Sequence, residues 1–179
     1  AQDYPMEQYL RDAKIDSVYE GTTGIQAMDR FFRKIARDQG VTVARLSSDI
    51  TEFVKGGPGW DALAAERETL ARMLDDAQAH LGVMVNHAMA AMAHHPNEIY
   101  KTGLHATPLL ESLSEVMIAW QLLRHAEVAL PGSSDDPFLE GKVASARFFV
   151  AHTAPKVAAR RAAAELEDGA LMELPIEAF

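Results

Sequence analysis

The 179-residue sequence contains no cysteine, which excludes disulfide bridges, thiolate metal sites and a cysteine nucleophile within it and fits a cytoplasmic setting. Basic residues are outnumbered 17 to 26, and the net charge of −9 argues against nucleic acid and anionic membrane surfaces as main partners. No apolar run approaches the roughly 18 residues that a membrane span needs. The N-terminus has neither the basic region nor the apolar core of a signal peptide, so we expect none there.

Strand signals are missing as well. Alternating β-branched runs do not occur, whereas Ala, Leu, Met, Glu, Arg and Gln, which favour helices, dominate the chain. The sequence therefore predicts an all-α fold. Breakers and apolar periodicity place six helical segments at about 6–19, 23–39, 43–54, 60–95, 107–130 and 137–168.

The three long segments share one apolar rhythm. In the fourth, apolar residues step by four and three, a heptad spacing typical of helices packed nearly antiparallel in a bundle. The seam of this segment is Leu70, Leu74, Ala77, Leu81, Met84, Ala88 and Ala91. The same rhythm marks Leu109 to Leu123 and Leu139 to Val157, although Pro155 should kink the last helix or end its regular part.

A short joint separates the first two helices. Gly21 can take the left-handed backbone that ends a helix, and Thr23 with Gln26 has the spacing of a capping box. Glu20 stands at the end of the first helix, where the helix dipole disfavours a carboxylate and should raise its proton affinity. A helix start with spare amides suits an anionic or carbonyl-bearing ligand. Spacing alone leaves two interpretations, a general base or a solvated glutamate at a structural corner.

The residues around this joint carry a resemblance. The run Tyr4-Pro5-Met6-Glu7, Arg11-Asp12-Ala13-Lys14-Ile15 and Val18-Tyr19-Glu20-Gly21-Thr22, followed by Ile25-Gln26, is similar to the C-terminal signature of the acyl-CoA dehydrogenases. The resemblance implies that these helices belong to the C-terminal bundle of an FAD-dependent enzyme. It also implies oxidation of an acyl-CoA to a trans-2-enoyl-CoA in fatty-acid β-oxidation.

The resemblance assigns roles position by position. Glu20 would be the base that removes the α-proton, Gly21 would contact the acyl-CoA, and Thr22, Thr23 and Gly24 would line the FAD. Ala27 departs from the pattern, since many relatives carry arginine there, which puts contacts at the start of the second helix in doubt but not the base.

The remaining chain resembles the extra C-terminal helical domain of a bacterial subgroup that includes mycobacterial long-chain enzymes. We therefore divide the sequence into the last two helices of the catalytic bundle (1–39), a connecting helix with a Gly/Pro linker (40–59) and the added antiparallel helical domain (60–179). The family's N-terminal helical and middle β-barrel domains have no counterpart in this sequence. It therefore looks like a C-terminal part that is inactive alone, and the family implies electron-transferring flavoprotein and a homodimeric partner.

Two other interpretations were weighed. His80, His87 and His94 recur every seven residues on one helix face, but metal ligation usually wants spacings of three or four, so we expect no metal site. The alternative from another class is a non-catalytic helical interaction or oligomerisation module, in which Glu20 is incidental.

Overall fold

The computed structural model describes residues 6–16, 22–57 and 61–178 of the chain. Within these ranges the regular structure is helical and no strand occurs, which confirms the all-α prediction. The helices are α1 (Met6–Lys14), α2 (Thr23–Asp29), α3 (Val41–Lys55), α4 (Ala64–Met92), α5 (Glu98–Ala129) and α6 (Pro137–Leu166). Short 3₁₀ turns lie at Asp61–Leu63, Leu130–Gly132, Ala170–Glu173 and Ile176–Ala178.

Helices α4, α5 and α6 form a three-helix bundle in which each helix packs against both others. Ion pairs at the two ends of α4, Arg67–Glu127 and His87–Glu98, show that α5 runs antiparallel to it. The heptad prediction is confirmed in the core. Buried seam residues are Leu70, Leu74, Ala77 and Met84 on α4, Leu109, Leu113, Val116 and Leu123 on α5, and Val143, Ala146, Val150 and Val157 on α6.

Two prolines lie inside the long helices. Helix α5 begins at Glu98, well before the predicted start near Thr107, and it continues through Pro108. Pro108 removes one amide donor, but the carbonyl that loses it belongs to Leu104, which is 61% exposed and can bond water instead. Helix α6 likewise does not end at Pro155 but runs on to Leu166. Packing of both helices along their lengths outweighs the local cost of these prolines.

The second helix differs from its prediction. A single helix was expected to reach Gln39, but the α-helix ends at Asp29 and continues as a π-helix over Arg30–Ala36. The chain then ends the helix with paired bonds, from the Gly40 amide to the Ile35 carbonyl (3.0 Å) and from the Gln39 amide to the Ala36 carbonyl (3.3 Å). This is a Schellman motif, with Gln39 as its left-handed residue at φ 56°.

The start of α6 is capped by Asp136, whose carboxylate accepts a hydrogen bond from the Phe138 amide at 2.8 Å.

Arg67 connects α3 to the bundle. Its side chain is 1% exposed, and its guanidinium donates to the Phe53 carbonyl and to Glu127 Oε1, the latter at 3.2 Å. The guanidinium also lies 4.1 Å from the centre of the Phe53 ring. One buried cation therefore ties α3 to α4 and α5. The division of the chain at residues 39 and 59 stays a prediction.

Candidate functional site

The candidate site lies at the start of α2. Glu20 and Gly21, the predicted base and substrate contact, lie outside the described residues. Thr22 is the N-cap of α2: its backbone is extended, and its Oγ1 accepts a hydrogen bond from the Ile25 amide at 3.4 Å. The capping box predicted at Thr23 is thus wrong by one residue, because Thr23 already has helical backbone and the cap is the residue before it.

The next two predicted residues lie in the first turn of α2. Thr22, Thr23 and Gly24 are all exposed. A side chain built at Gly24 would meet nothing within 4 Å. The first amides of a helix also lack partners within it. The structure therefore brings the three predicted FAD-lining residues together on one accessible corner, where hydroxyls and peptide edges are open to a ligand.

Helix α2 holds this corner against the bundle. Ala27 is 2% exposed and Phe31 is 1% exposed. Both lie against the middle of α5, beside Ala106 and Leu109. The spacing of four residues between Ala27 and Phe31 puts them on one face, so the opposite face of the helix remains exposed.

An apolar recess of about 520 Å³ adjoins α2. Met28 lines one side, Tyr100 and Leu104 of α5 line another, and Leu171 and Met172 of the C-terminal segment close the third. The C-terminal segment reaches α5 at Gly169, where φ is +79° and an added Cβ would lie 2.8 Å from Lys101 Cε. Although the segment contacts α5 at Gly169, its apolar residues Leu171, Met172 and Ile176 remain largely exposed.

The three regularly spaced histidines have three different environments. His80 is fully buried, with neither ring nitrogen bonded within the described part of the chain. His87 Nδ1 lies 2.6 Å from Glu98 Oε2, and Lys101 Nζ lies 2.9 Å from the other oxygen of the same carboxylate. Hydrogen bonds from Lys101 and then His87 lower the pKa of Glu98. His94 ends α4 with φ at 101°.

Sequence reasoning missed the partner of His80. His105 of α5 meets it edge to face, with ring centroids 5.9 Å apart. Burial is the main cause that lowers the pKa of His80 to about 4, and repulsion from a protonated His105 and from Arg160 acts in the same direction. Burial also lowers the pKa of His105, although Glu167, 3.8 Å away, opposes that shift. Residues 25 positions apart on different helices leave no local signal.

Two arginines of α6 form ion pairs with the neighbouring helices α4 and α5. Arg160 bonds Glu115 at 2.5 Å and Glu111 at 2.9 Å, and Arg161 bonds Asp76 of α4 at 2.7 Å. Hydrogen bonding to Glu115 is the main cause that raises the pKa of Arg160. These pairs fix helix register and bring no reactive group together.

Within the described ranges, no group of three or more His, Asp or Glu side chains could hold a metal ion. None of the helices in those ranges is long and apolar enough to cross a membrane.

The described residues form a domain of the all-α helical-bundle class, and comparison with known proteins gives its family. The family model described as acetyl-CoA dehydrogenase C-terminal like matches residues 46–175. The chain belongs to this family and corresponds to the C-terminal portion of an acyl-CoA dehydrogenase, which confirms the resemblance seen in the sequence.

Individual proteins similar to this chain are named as acyl-CoA dehydrogenases of different substrates. The chain is 46% identical over 184 residues to the broad-specificity linear acyl-CoA dehydrogenase FadE5 of Mycobacterium tuberculosis, covering 99% of this chain and 30% of that protein. It is 36% identical over 149 residues to 3-methylmercaptopropionyl-CoA dehydrogenase of Ruegeria pomeroyi, covering 79% and 24%. A butyryl-CoA dehydrogenase of Syntrophomonas wolfei is 30% identical over 188 residues, covering 99% and 29%. The chain thus spans less than a third of the length of these relatives.

Proposed function

We propose that this chain is the C-terminal part of an FAD-dependent acyl-CoA dehydrogenase that oxidises acyl-CoA to trans-2-enoyl-CoA in fatty-acid β-oxidation. The observation that carries the proposal is the 46% identity to a relative named as an acyl-CoA dehydrogenase, which extends over 99% of this chain. That extent includes both the signature around Glu20 and the long helices that follow.

Glu20 is proposed as the general base. Its carboxylate would remove the α-proton of the thioester, and Gly21 would contact the acyl-CoA beside it. FAD, when bound, accepts the β-hydrogen as hydride. A carboxylate does this work best in a dry pocket that raises its pKa towards the working pH.

Thr22, Thr23 and Gly24 are proposed to line the flavin. The fit is supported by their exposure and by the open space around Gly24, which lets a flat ring approach the backbone closely. Their hydroxyl and amide groups are hydrogen-bond donors of the kind that orient a polar ring system.

The same exposure supports the proposal that the chain is inactive alone. Thr22, Thr23 and Gly24 are exposed, so we propose that other parts of the enzyme cover them and exclude water from the base. The missing walls would come from the N-terminal helical and β-barrel parts of the same enzyme. We further propose a cytoplasmic homodimer that passes electrons to electron-transferring flavoprotein, as the family pattern implies.

Product analysis tests the proposal. The full-length parent, incubated with FAD, an acyl-CoA and an electron acceptor, should form the trans-2-enoyl-CoA, identified by mass spectrometry. The 179-residue chain under the same conditions should form none. Product from the chain alone would contradict its proposed dependence on the rest of the enzyme, and no product from the parent would contradict the function.

One observation favours the second candidate, a non-catalytic interaction module. Helix α1 has no buried residue, and its Met6, Tyr9 and Leu10 are all more than 60% exposed. Such a surface suits contact with another protein chain. In that case Glu20→Gln would leave acyl-CoA oxidation by the parent unchanged.

A further inference from the structure

Positive charge is concentrated in one stretch of this acidic chain. Five of its 17 Lys and Arg residues lie between Arg30 and Arg45, and that stretch holds only one of its 26 acidic residues, Asp38. The stretch comprises the π-helical continuation of α2 and the first turn of α3. Charge of this sign is therefore local and opposes the net charge of the rest of the chain.

The cations surround a groove. A depression of about 620 Å³ lies between the π-helix and the start of α3, which is within the size range of small-molecule sites. Its lining residues are Arg30, Arg33, Lys34, Ile35, Arg37, Asp38, Thr42 and Val43. All four cations are exposed, so their charged ends can reach a ligand in the groove.

Asp38 supplies one negative charge against the four cations that line the groove. Its carboxylate accepts hydrogen bonds from the Gly40 amide at 2.9 Å and the Thr42 amide at 3.1 Å. Bonding to Thr42, first through its hydroxyl, lowers the pKa of Asp38 and keeps it charged. Because Asp38 occupies these amides at the start of α3, side chains and not the helix end must supply the groove's attraction for an anion.

Three cations have no acidic partner. Arg33 is paired with Asp29, with Nε and Oδ1 2.7 Å apart. Arg30, Lys34 and Arg37 form no ion pair with any residue in ranges 6–16, 22–57 and 61–178. Uncompensated like charges around one groove repel each other and are stabilised by a multivalent anion. A π-helix, as here, is rare and often marks a functional position.

We propose that the groove formed by Arg30, Lys34 and Arg37 binds the phosphate groups of a CoA thioester. This inference rests on the proposed function, which supplies a substrate with a 3′-phosphate and a diphosphate. Guanidinium groups match phosphate oxygens in pairs, which favours phosphate over a single carboxylate. The groove begins at Arg30, about 9 Å along the helix from Gly24, since a helix rises about 1.5 Å per residue. A pantetheine arm can span that distance.

Calorimetric titration of the 179-residue chain tests the proposal. The probes are CoA, 3′-dephospho-CoA and inorganic phosphate, and the variant is the triple R30Q/K34Q/R37Q. The charge-matched control is K55Q/K142Q/K156Q, which removes three exposed cations elsewhere. Far-UV circular dichroism checks that both variants keep their helices.

The groove variant should bind CoA at least about tenfold more weakly than the wild type, because each lost charge-assisted bond is worth about that factor. The control should bind CoA as the wild type does. A smaller effect of the variant on 3′-dephospho-CoA would place the 3′-phosphate in the groove, and an equal effect would place the diphosphate there. Binding of CoA by the wild type should also weaken as salt is raised.

Several results would overturn the proposal. These are equal weakening in the control, no binding of CoA at millimolar concentration, or inorganic phosphate bound as tightly as CoA. Groove-dependent binding of poly-glutamate without binding of CoA would assign the groove to an acidic protein instead. Enoyl-CoA formation by the parent is measured separately. The proposal that the groove binds CoA can therefore be contradicted while the proposed function is still supported.

Discussion

The imidazole rings of His80 and His105 meet edge to face inside the three-helix bundle, 5.9 Å apart and inclined at 77°. Arg160 of α6 and Glu167 beyond it are the charged groups that act on this pair, together with His87 of α4. The core of the bundle thus encloses two imidazoles whose pKa values are lowered by burial, so the neutral form is favoured there.

Stability should fall as the pH is lowered. The pKa of His80 is lowered from 6.5 to about 4 by folding, so the unfolded chain takes up a proton first. The free energy of unfolding should therefore decrease from about pH 6.5 down to about pH 4, by at most about 3 kcal/mol. Burial shifts the pKa of His105 in the same direction, and its titration should add to this loss.

Urea unfolding at several pH values between 7 and 4 measures this slope. His80→Leu replaces the titrating group with an apolar side chain, so the free energy of unfolding should depend less steeply on pH. Carboxylates titrate equally in both proteins and cancel in the comparison. An identical slope in the two proteins would show that His80 does not contribute.

Removing the Arg67 guanidinium should destabilise the fold strongly. Arg67→Met keeps the apolar stem but leaves the Phe53 carbonyl and Glu127 without their partner. Breaking a buried ion pair costs about 3–5 kcal/mol, and partial exposure of Glu127 puts our expectation at the lower end. The control is Arg72→Met, whose pair with Glu68 is exposed and should change stability by about 0.5 kcal/mol or less. Similar losses in both variants, measured by urea unfolding, would contradict the role given to Arg67.

Gln39→Gly should stabilise the chain. Gln39 holds a left-handed backbone at φ 56°, which costs a residue with a Cβ roughly 1 kcal/mol relative to glycine. Glycine's greater freedom in the unfolded chain offsets part of this gain. Gln121→Gly, in the middle of α5, is the control and should lower the thermal midpoint by the ordinary helix cost of glycine. A lower midpoint for Gln39→Gly would contradict the strain assigned here.

The added helical domain is expected to support the dimer. We propose that the domain covers surface that would otherwise be open to other subunit contacts, so deleting residues 60–179 from the parent should change its oligomeric mass. Light scattering of the parent and the deletion variant measures this. An unchanged mass would remove the dimer-supporting role from residues 60–179.

The sequence predicted local features well and long-range ones poorly. Heptad spacing identified Leu70 and Met84 as core because periodicity reports directly which face of a helix is buried. The start of α5 was misplaced because Pro108 resembles a helix start, and only tertiary packing carries the helix through it. The burial of Arg67 was not predicted, because it depends on a partner 60 residues away in the sequence.

The sequence likewise predicted one part of the candidate site and missed another. Thr22, Thr23 and Gly24 were found from a contiguous motif, and they do lie together at one helix start. The basic groove escaped notice because its cations look like an ordinary solvated helix face in sequence. The density of cations between Arg30 and Arg45 was the available signal.

Anaerobic flavin reduction in the full-length parent tests the central claim, that Glu20 is the base, most directly. Addition of an acyl-CoA should bleach the flavin absorbance of the wild type and of the control Glu7→Gln, a carboxylate change on exposed α1. Glu20→Gln should slow bleaching by about 100-fold or more, the usual contribution of a general base. Flavin bleaching by Glu20→Gln at the wild-type rate would show that Glu20 is not the base.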